Sequence, residues 1–119
     1  LKNIKFTGYT AEPERIMTVL DILSFPSHDE SFGRVLLEAM ALGIPTAASG
    51  FAGVLDITIA GETGLLFEPE NAKSQAAALS ELIQNEELRR KFSLNGKKRA
   101  EDVFTFDNMT DELINQYNQ

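Results

Sequence analysis

The chain has 119 residues, of which 43% are hydrophobic and 24% are charged, as is usual for a single globular domain. Its 18 acidic and 11 basic residues give a net charge of −7, which disfavours a nucleic-acid partner. No apolar run is long enough to span a membrane and no signal-peptide pattern is present. Because cysteine is absent, disulfides and thiolate metal sites are excluded, and a reducing, cytoplasmic location is expected.

The first quarter of the chain predicts a strand, a helix and a second strand. Ile4-Lys5-Phe6 alternates as a strand does, and Pro13 lies in the first turn of a helix that Thr10 can cap. The run Ile22–Phe25 predicts a buried strand, which Pro26 ends because proline cannot donate to a sheet ladder. The predicted apolar face of the helix comprises Ile16, Met17, Val19 and Leu20.

A polar loop then leads into an almost wholly apolar helix. Phe32-Gly33 opens this helix, which covers Arg34–Leu42 and which Gly43 ends with a left-handed cap. A strand that passes through a glycine-containing loop into a helix is where α/β proteins hold ligands. The free N–H groups of the first helical turn favour an anion there.

The rest of the chain continues the alternation of strands and helices. Thr46–Ser49 and Leu65–Phe67 predict two further strands, with a short helix, Val54–Ile59, between them. Asn71 can cap the next helix and Asn85 starts another. The helix after Asn85 is anchored by Leu88 and Phe92, and a last helix follows Thr105. The apolar face predicted for the helix after Asn71 comprises Ala72, Ala76, Leu79, Leu82 and Ile83. The pattern predicts an α/β, three-layer Rossmann-like domain with a short, mainly parallel sheet of about four strands covered by helices.

Two acidic residues lie in the central stretch, Glu30 in the loop and Glu38 in the helix, with seven residues between them. The apolar neighbours of Glu38 predict a helix buried nearly all round, where a carboxylate is costly without partners. From the residues alone, three explanations stay open. Glu38 can pair with Arg34 one turn earlier, lie on the one solvated edge of the helix, or bind a ligand.

This stretch resembles a known family signature. The run Pro26-Ser27-x-x-Glu30-x-Phe32-Gly33-Arg34-Val35-Leu36-Leu37-Glu38-Ala39-Met40-Ala41-x-Gly43-x-Pro45 is similar to the Glu-x7-Glu signature of retaining glycosyltransferases of family 4 (group 1), which have the GT-B fold. The resemblance extends over essentially the whole chain. It identifies residues 1–119 as a single domain, a fragment of the nucleotide-sugar-binding C-terminal domain.

The resemblance implies transfer of a sugar from a nucleotide diphosphate sugar to an acceptor with retention of configuration. It assigns Glu30, as the catalytic residue, to the sugar hydroxyls or the reacting centre, and Glu38 to the ribose hydroxyls. The donor-binding residues that it implies are Ser31, Phe32, Gly33, Arg34, Val35 and Glu38. It implies no cofactor and no bound metal, and the single histidine, His28, has no ligand-spaced partner.

The chain departs from the family pattern at several points. Ala52 stands where the donor loop usually has glycine, and Asp56 stands where it usually has glutamate. The basic pair that contacts the diphosphate in the family has no convincing counterpart. The N-terminal domain, which would bind an acceptor sugar, lipid or protein, is also missing, and open sheet edges predict association between copies.

Two other functions stay open. One is a nucleotide-sugar epimerase on the same scaffold, and the other is a non-catalytic α/β interaction module. The basic run Lys97-Lys98-Arg99 predicts a solvated helix face or a charge match at a helix C-terminus. A weak contact with anionic lipid is the alternative for this run, which would make the full-length protein peripheral to the membrane.

Overall fold

A small parallel sheet with helices on both faces makes up the described part of the chain. The computed structural model describes residues 3–6, 8, 13–26 and 33–103. The elements are α1 (Pro13–Met17), β1 (Leu23–Phe25), α2 (Gly33–Ala41), β2 (Thr46–Ser49), α3 (Ala52–Ile57), β3 (Leu65–Phe67), α4 (Ala72–Gln84) and α5 (Glu86–Val103). The predicted α/β class and the parallel sheet are confirmed.

The three strands lie in the order β1-β2-β3, and both neighbouring pairs are parallel. The central strand β2 is buried at every position, and Ala47 and Ala48 are its two middle residues. Ser24 is the partner of Ala47, and Ala48 is the partner of Leu66. The small side chains of the central strand leave room on both faces of the sheet. Helices can therefore pack closely against each face without leaving voids.

The strand predicted at Ile4-Lys5-Phe6 is wrong, and the described sheet has three strands rather than about four. Ile4 is 56% exposed and Phe6 is 86% exposed, and neither belongs to a ladder. Alternating residues make a strand only when a neighbouring strand supplies the hydrogen bonds of a ladder. The alternation at Ile4–Phe6 was therefore a sign of strand propensity without a partner strand in the described residues.

The two faces of the sheet carry separate hydrophobic clusters. On one face, side chains from α2 and α3 cover β1 and β2, and on the other face α4 covers β2 and β3. The long helix α5 contributes to both, with Ala100 in the first cluster and Phe92 in the second. The first cluster comprises Phe25, Leu36, Leu37, Met40, Ala48, Val54, Ile57 and Ala100, and the second comprises Ala47, Phe67, Ala78, Leu82 and Phe92.

The C-terminus of α2 is fixed by the predicted glycine cap. Gly43 has a φ of +76°, and its N–H donates to the Met40 carbonyl at 3.0 Å. The next N–H, of Ile44, donates to the Ala39 carbonyl at 2.9 Å, which completes a Schellman motif. Ile44 and Ala39 then pack with Met17 of α1 in a third small cluster. This cap turns the chain directly from α2 into β2.

Two predicted helical faces differ from the structure. Val19 lies in a turn after α1 and is 76% exposed, and Ile83 of α4 is 65% exposed. The buried side of α4 instead follows Gln75, Ala78 and Leu82, and the Gln75 amide donates to the Ser24 hydroxyl of β1 at 2.9 Å. Leu79 and Leu82 of the predicted face do pack in the core, whereas Ala72, Ala76 and Ile83 are exposed, because the polar Gln75 takes a place on the inward face that the apolar pattern could not indicate.

The helix predicted at Val54–Ile59 begins and ends two residues earlier, as α3. Thr58 has extended backbone angles, and Thr63 Oγ1 accepts a hydrogen bond from the Ile59 N–H at 2.9 Å. Arg99 of α5 donates to the carbonyls of Asp56 and Ile57, at 3.0 and 2.7 Å. Arg99 satisfies carbonyls of the last turn of α3 from a distant part of the sequence, and Thr63 holds the chain just beyond the helix, so both help to fix its end.

Candidate functional site

The carboxyl ends of the three strands define the edge of the sheet where a ligand site is expected. α2, α3 and α4 each begin after one of these strand ends. In parallel α/β sheets, ligands bind outside the carboxyl ends of the strands, close to helix N-termini. The connection from β2 to α3 consists of Gly50 and Phe51, so the chain passes almost at once into the helix that contains Ala52 and Asp56.

The first two turns of α2 bring four of the predicted donor-binding residues together. Gly33 begins the helix, Arg34 follows it, and Glu38 lies one turn further on. Val35 is half-buried and packs against the cores on both sides of α2, which fixes the rotation of the helix. The other predicted site residues, Glu30, Ser31 and Phe32, lie outside the described residues, as does His28.

Glu38 forms the ion pair with Arg34 that the sequence left open. Arg34 Nε lies 3.3 Å from Glu38 Oε1, and the two side chains are 48% and 34% exposed. The prediction that α2 is buried nearly all round is therefore wrong. Ala41 and Leu42 are also exposed, and together with Arg34 and Glu38 they form one solvated stripe at helical spacing. An exposed pair of this kind stabilises a helix by about 0.5 kcal/mol or less.

The start of α4 is held by a compact set of side-chain hydrogen bonds. Asn71 caps the helix, as predicted, since its side-chain oxygen accepts from the Ser74 N–H at 2.9 Å. Ser74 Oγ accepts from the Glu68 N–H at 2.9 Å, and the Asn71 amide donates to the Glu68 carboxylate at 2.8 Å. The connection from β3 to α4 is therefore rigidly defined at the same edge of the sheet as the start of α2.

Sequence reasoning did not single out Ser49 as a polar group of this edge. It is the last residue of β2, it is fully buried, and its hydroxyl has no hydrogen-bond partner among the described residues. A buried hydroxyl without a partner lowers stability by about 1 to 3 kcal/mol. Its position at the carboxyl end of the central strand was the only signal in the sequence that could have drawn attention to it.

The basic run near the end of α5 has two different environments. Lys97 and Lys98 are exposed, whereas Arg99 makes the two hydrogen bonds to the C-terminus of α3. The predicted charge match at a helix C-terminus is thus present for Arg99, although the helix is α3 rather than α5 itself. Arg89 does the same for α4 by donating to the Ile83 carbonyl at 2.7 Å. Arg89 and Arg99 of α5 therefore act as links between helices.

Within the part of the chain that the structure describes, no group of three or more acidic or histidine side chains is placed to hold a metal ion. Among the described helices, none is both long enough and apolar enough to cross a membrane.

The sequence and fold match one family of proteins. Residues 1–99 match the profile of the family described as glycosyl transferases group 1. The chain belongs to this family. The capsular polysaccharide biosynthesis glycosyltransferase CapM of Staphylococcus aureus is 33% identical to it over 116 residues, which are 98% of this chain and 30% of that protein.

Two solved structures share the fold. The C-terminal domain of the group 1 protein LpcC from Francisella tularensis is 31% identical, with a TM-score of 0.74 over 87% of this chain and 53% of that chain. HepE from Anabaena, solved with UDP, is 25% identical, with a TM-score of 0.80 over 97% of this chain and 33% of that chain. The partial GT-B C-terminal domain expected from the resemblance is therefore confirmed. The chain spans about three tenths of the length of the curated relatives it matches.

Proposed function

We propose that this chain supplies part of the donor site of a retaining glycosyltransferase that uses a nucleotide diphosphate sugar. The observation that carries the proposal is the placement of Arg34 and Glu38 on the solvated stripe of α2, at the carboxyl edge of a parallel sheet, in a group 1 chain. HepE has been solved with UDP-glucose as well as with UDP. UDP sugars are therefore the first donors to test.

The proposed roles follow the chemistry of the leaving group. A nucleoside diphosphate leaves, so negative charge develops on phosphate and the site needs aligned donors and positive potential. The backbone N–H groups at Ser31, Phe32, Gly33, Arg34 and Val35 are proposed to face the donor sugar and the diphosphate. Glu38 accepts from both ribose hydroxyls, and Glu30 acts at the reacting centre.

Two substitutions in a complete protein that carries this segment test the roles of the acids separately. Glu30→Gln should lower the rate of transfer by at least about 100-fold and leave donor affinity within a few fold, because its role is in the reaction. Glu38→Gln should instead weaken donor binding, because it removes a charged acceptor from the ribose. Normal donor affinity in Glu38→Gln would refute the ribose assignment, and normal turnover in Glu30→Gln would refute the catalytic one.

Product analysis without acceptor separates this proposal from a nucleotide-sugar epimerase. An epimerase converts the donor sugar when no acceptor is present, whereas a transferase leaves it unchanged apart from slow hydrolysis. A non-catalytic interaction module predicts no binding of nucleotide sugar in the complete protein. The transfer is proposed to need no metal, so saturating EDTA should leave the rate unchanged.

The proposed partners follow from the sheet edges and from the length of the chain. The acceptor, a sugar, lipid or protein, is proposed to bind to an N-terminal domain of the complete protein. The outer edge of β1 is open among the described residues, so a second copy can pair with it when the chain is alone. Light scattering after size exclusion should then show a dimer, and a clean monomer would refute the pairing. A cytoplasmic location, inferred from the lack of cysteine, stays a prediction.

A further inference from the structure

The Glu38 carboxylate can be reached from the same side by Arg34 and by a ligand at the carboxyl edge of the sheet. Side chains on an α-helix point back towards its N-terminus, so the Glu38 carboxylate reaches towards the first turn of α2. Arg34 lies in that turn, and its Nε is 3.3 Å from Glu38 Oε1. The first turn of α2 also follows the carboxyl end of β1, where the donor is proposed to bind.

We infer that Arg34 exchanges partners when the donor binds, from the Glu38 carboxylate to the diphosphate. This inference rests on the proposed function, in which the ribose hydroxyls bind Glu38. A carboxylate that accepts from both hydroxyls of a ribose uses both of its oxygens, so the ribose displaces the guanidinium. The displaced guanidinium stays in the first turn of the helix, where the dipole favours an anion and where its planar fork fits a phosphate.

The ion pair is weak enough for this exchange. Both side chains are partly exposed, the charges are screened by solvent, and arginine before glutamate is the less favourable order along a helix. A pair of this kind reduces the affinity of a competing ligand by only about twofold. A bidentate, charge-assisted contact between the guanidinium and a phosphate that the bound ligand shields from solvent is stronger than this solvent-screened pair, so the second contact more than offsets the loss of the first.

The exchange predicts opposite effects of one substitution on two related ligands. In Arg34→Ala, Glu38 is free of its competitor, so a nucleoside without phosphates should bind about twofold more tightly. The matching nucleoside diphosphate should bind about fivefold more weakly, because it loses its guanidinium contact. Arg34→Lys keeps the charge but not the fork, so its loss of diphosphate affinity should be smaller than that of Arg34→Ala.

The experiment measures dissociation constants in a complete protein that carries this segment. The probes are uridine with UDP, guanosine with GDP and adenosine with ADP, and the pair used is the one whose diphosphate binds to the unmodified protein. Arg90→Ala is the matched control. It breaks another exposed i,i+4 ion pair, with Arg90 Nη2 3.2 Å from Glu86 Oε1, on a helix that begins near the amino ends of the strands. This control should change neither affinity.

The outcomes separate the exchange from the proposed function. Opposite shifts for nucleoside and diphosphate in Arg34→Ala, with no shift in Arg90→Ala, support the exchange. If Arg34→Ala does not tighten nucleoside binding while Glu38→Gln still weakens it, the exchange is refuted and the ribose role of Glu38 stands. If none of the three diphosphates and none of their nucleosides binds to the unmodified protein, or if Glu38→Gln changes neither affinity, the proposed function fails and the exchange fails with it. Far-UV circular dichroism of each variant shows whether the helices are retained.

Discussion

The close approach of α5 to the helix that carries the site makes Gly96 a sensitive position. A Cβ atom built on Gly96 would lie 3.7 Å from Cα, Cβ and the carbonyl oxygen of Met40 in α2. These are ordinary van der Waals distances, so one methyl group fits but a larger side chain must push the two helices apart. Glycine in a helix interior is less stable than alanine by about 0.5 to 1 kcal/mol. We expect Gly96→Ala to raise the free energy of unfolding by that amount.

Gly96→Leu should have the opposite effect, a loss of about 1 to 3 kcal/mol, because the extra atoms must displace the backbone of α2. For a domain of this size, 1 kcal/mol corresponds to a change of about 4 °C in Tm. Urea unfolding followed by far-UV circular dichroism measures both variants. Gly43→Ala serves as the control, because Gly43 has a φ of +76° and alanine should destabilise the chain there. A loss of stability in Gly96→Ala, or a neutral Gly96→Leu, would refute the packing argument.

Two further variants test how the ends of the helices are held. Asn71→Ala should lower the free energy of unfolding by about 1 kcal/mol, because the Ser74 N–H loses its acceptor. Asn71→Ser should recover most of this loss. An unchanged urea midpoint in Asn71→Ala would contradict the role of Asn71 as the helix cap. Arg99→Ala should lower the free energy of unfolding by about 1 to 3 kcal/mol, since the carbonyls of Asp56 and Ile57 lose a charged donor. Lys98→Ala, at an exposed neighbour, is the matched control, and its free energy of unfolding should be within about 0.5 kcal/mol of that of the unmodified chain.

The elements that local residues determine could be predicted from the sequence. The position of β2 could be predicted because Pro45 and Gly50 flank a run of small residues. The end of α2 could be predicted because Gly43 can adopt a positive φ. Asn71 and Asn85 were recognised as helix starts from their side-chain chemistry alone, and each accepts from a backbone N–H three residues on. In these cases the residues that decide the structure are neighbours along the chain.

The features that depend on distant partners could not be predicted. Ile4–Phe6 alternates as a strand does, but whether a strand forms depends on a neighbour elsewhere in the sheet. The end of α3 depends on Arg99, more than 40 positions away, and the inward face of α4 depends on a bond from Gln75 to Ser24. The exposure of Glu38 likewise follows from which helices pack on α2, which a run of apolar neighbours does not specify.

The most direct test of the central claim is the donor affinity of Glu38→Gln in a complete protein that carries this segment. Isothermal titration with UDP-, GDP- and ADP-glucose identifies the donor that binds to the unmodified protein, and the same titration is then made on the variant. Glu86→Gln, which removes a carboxylate from a similar i,i+4 pair, is the control. We expect a loss of donor affinity of about tenfold or more in Glu38→Gln and none in Glu86→Gln. Equal donor affinity in the unmodified protein and Glu38→Gln would contradict the claim.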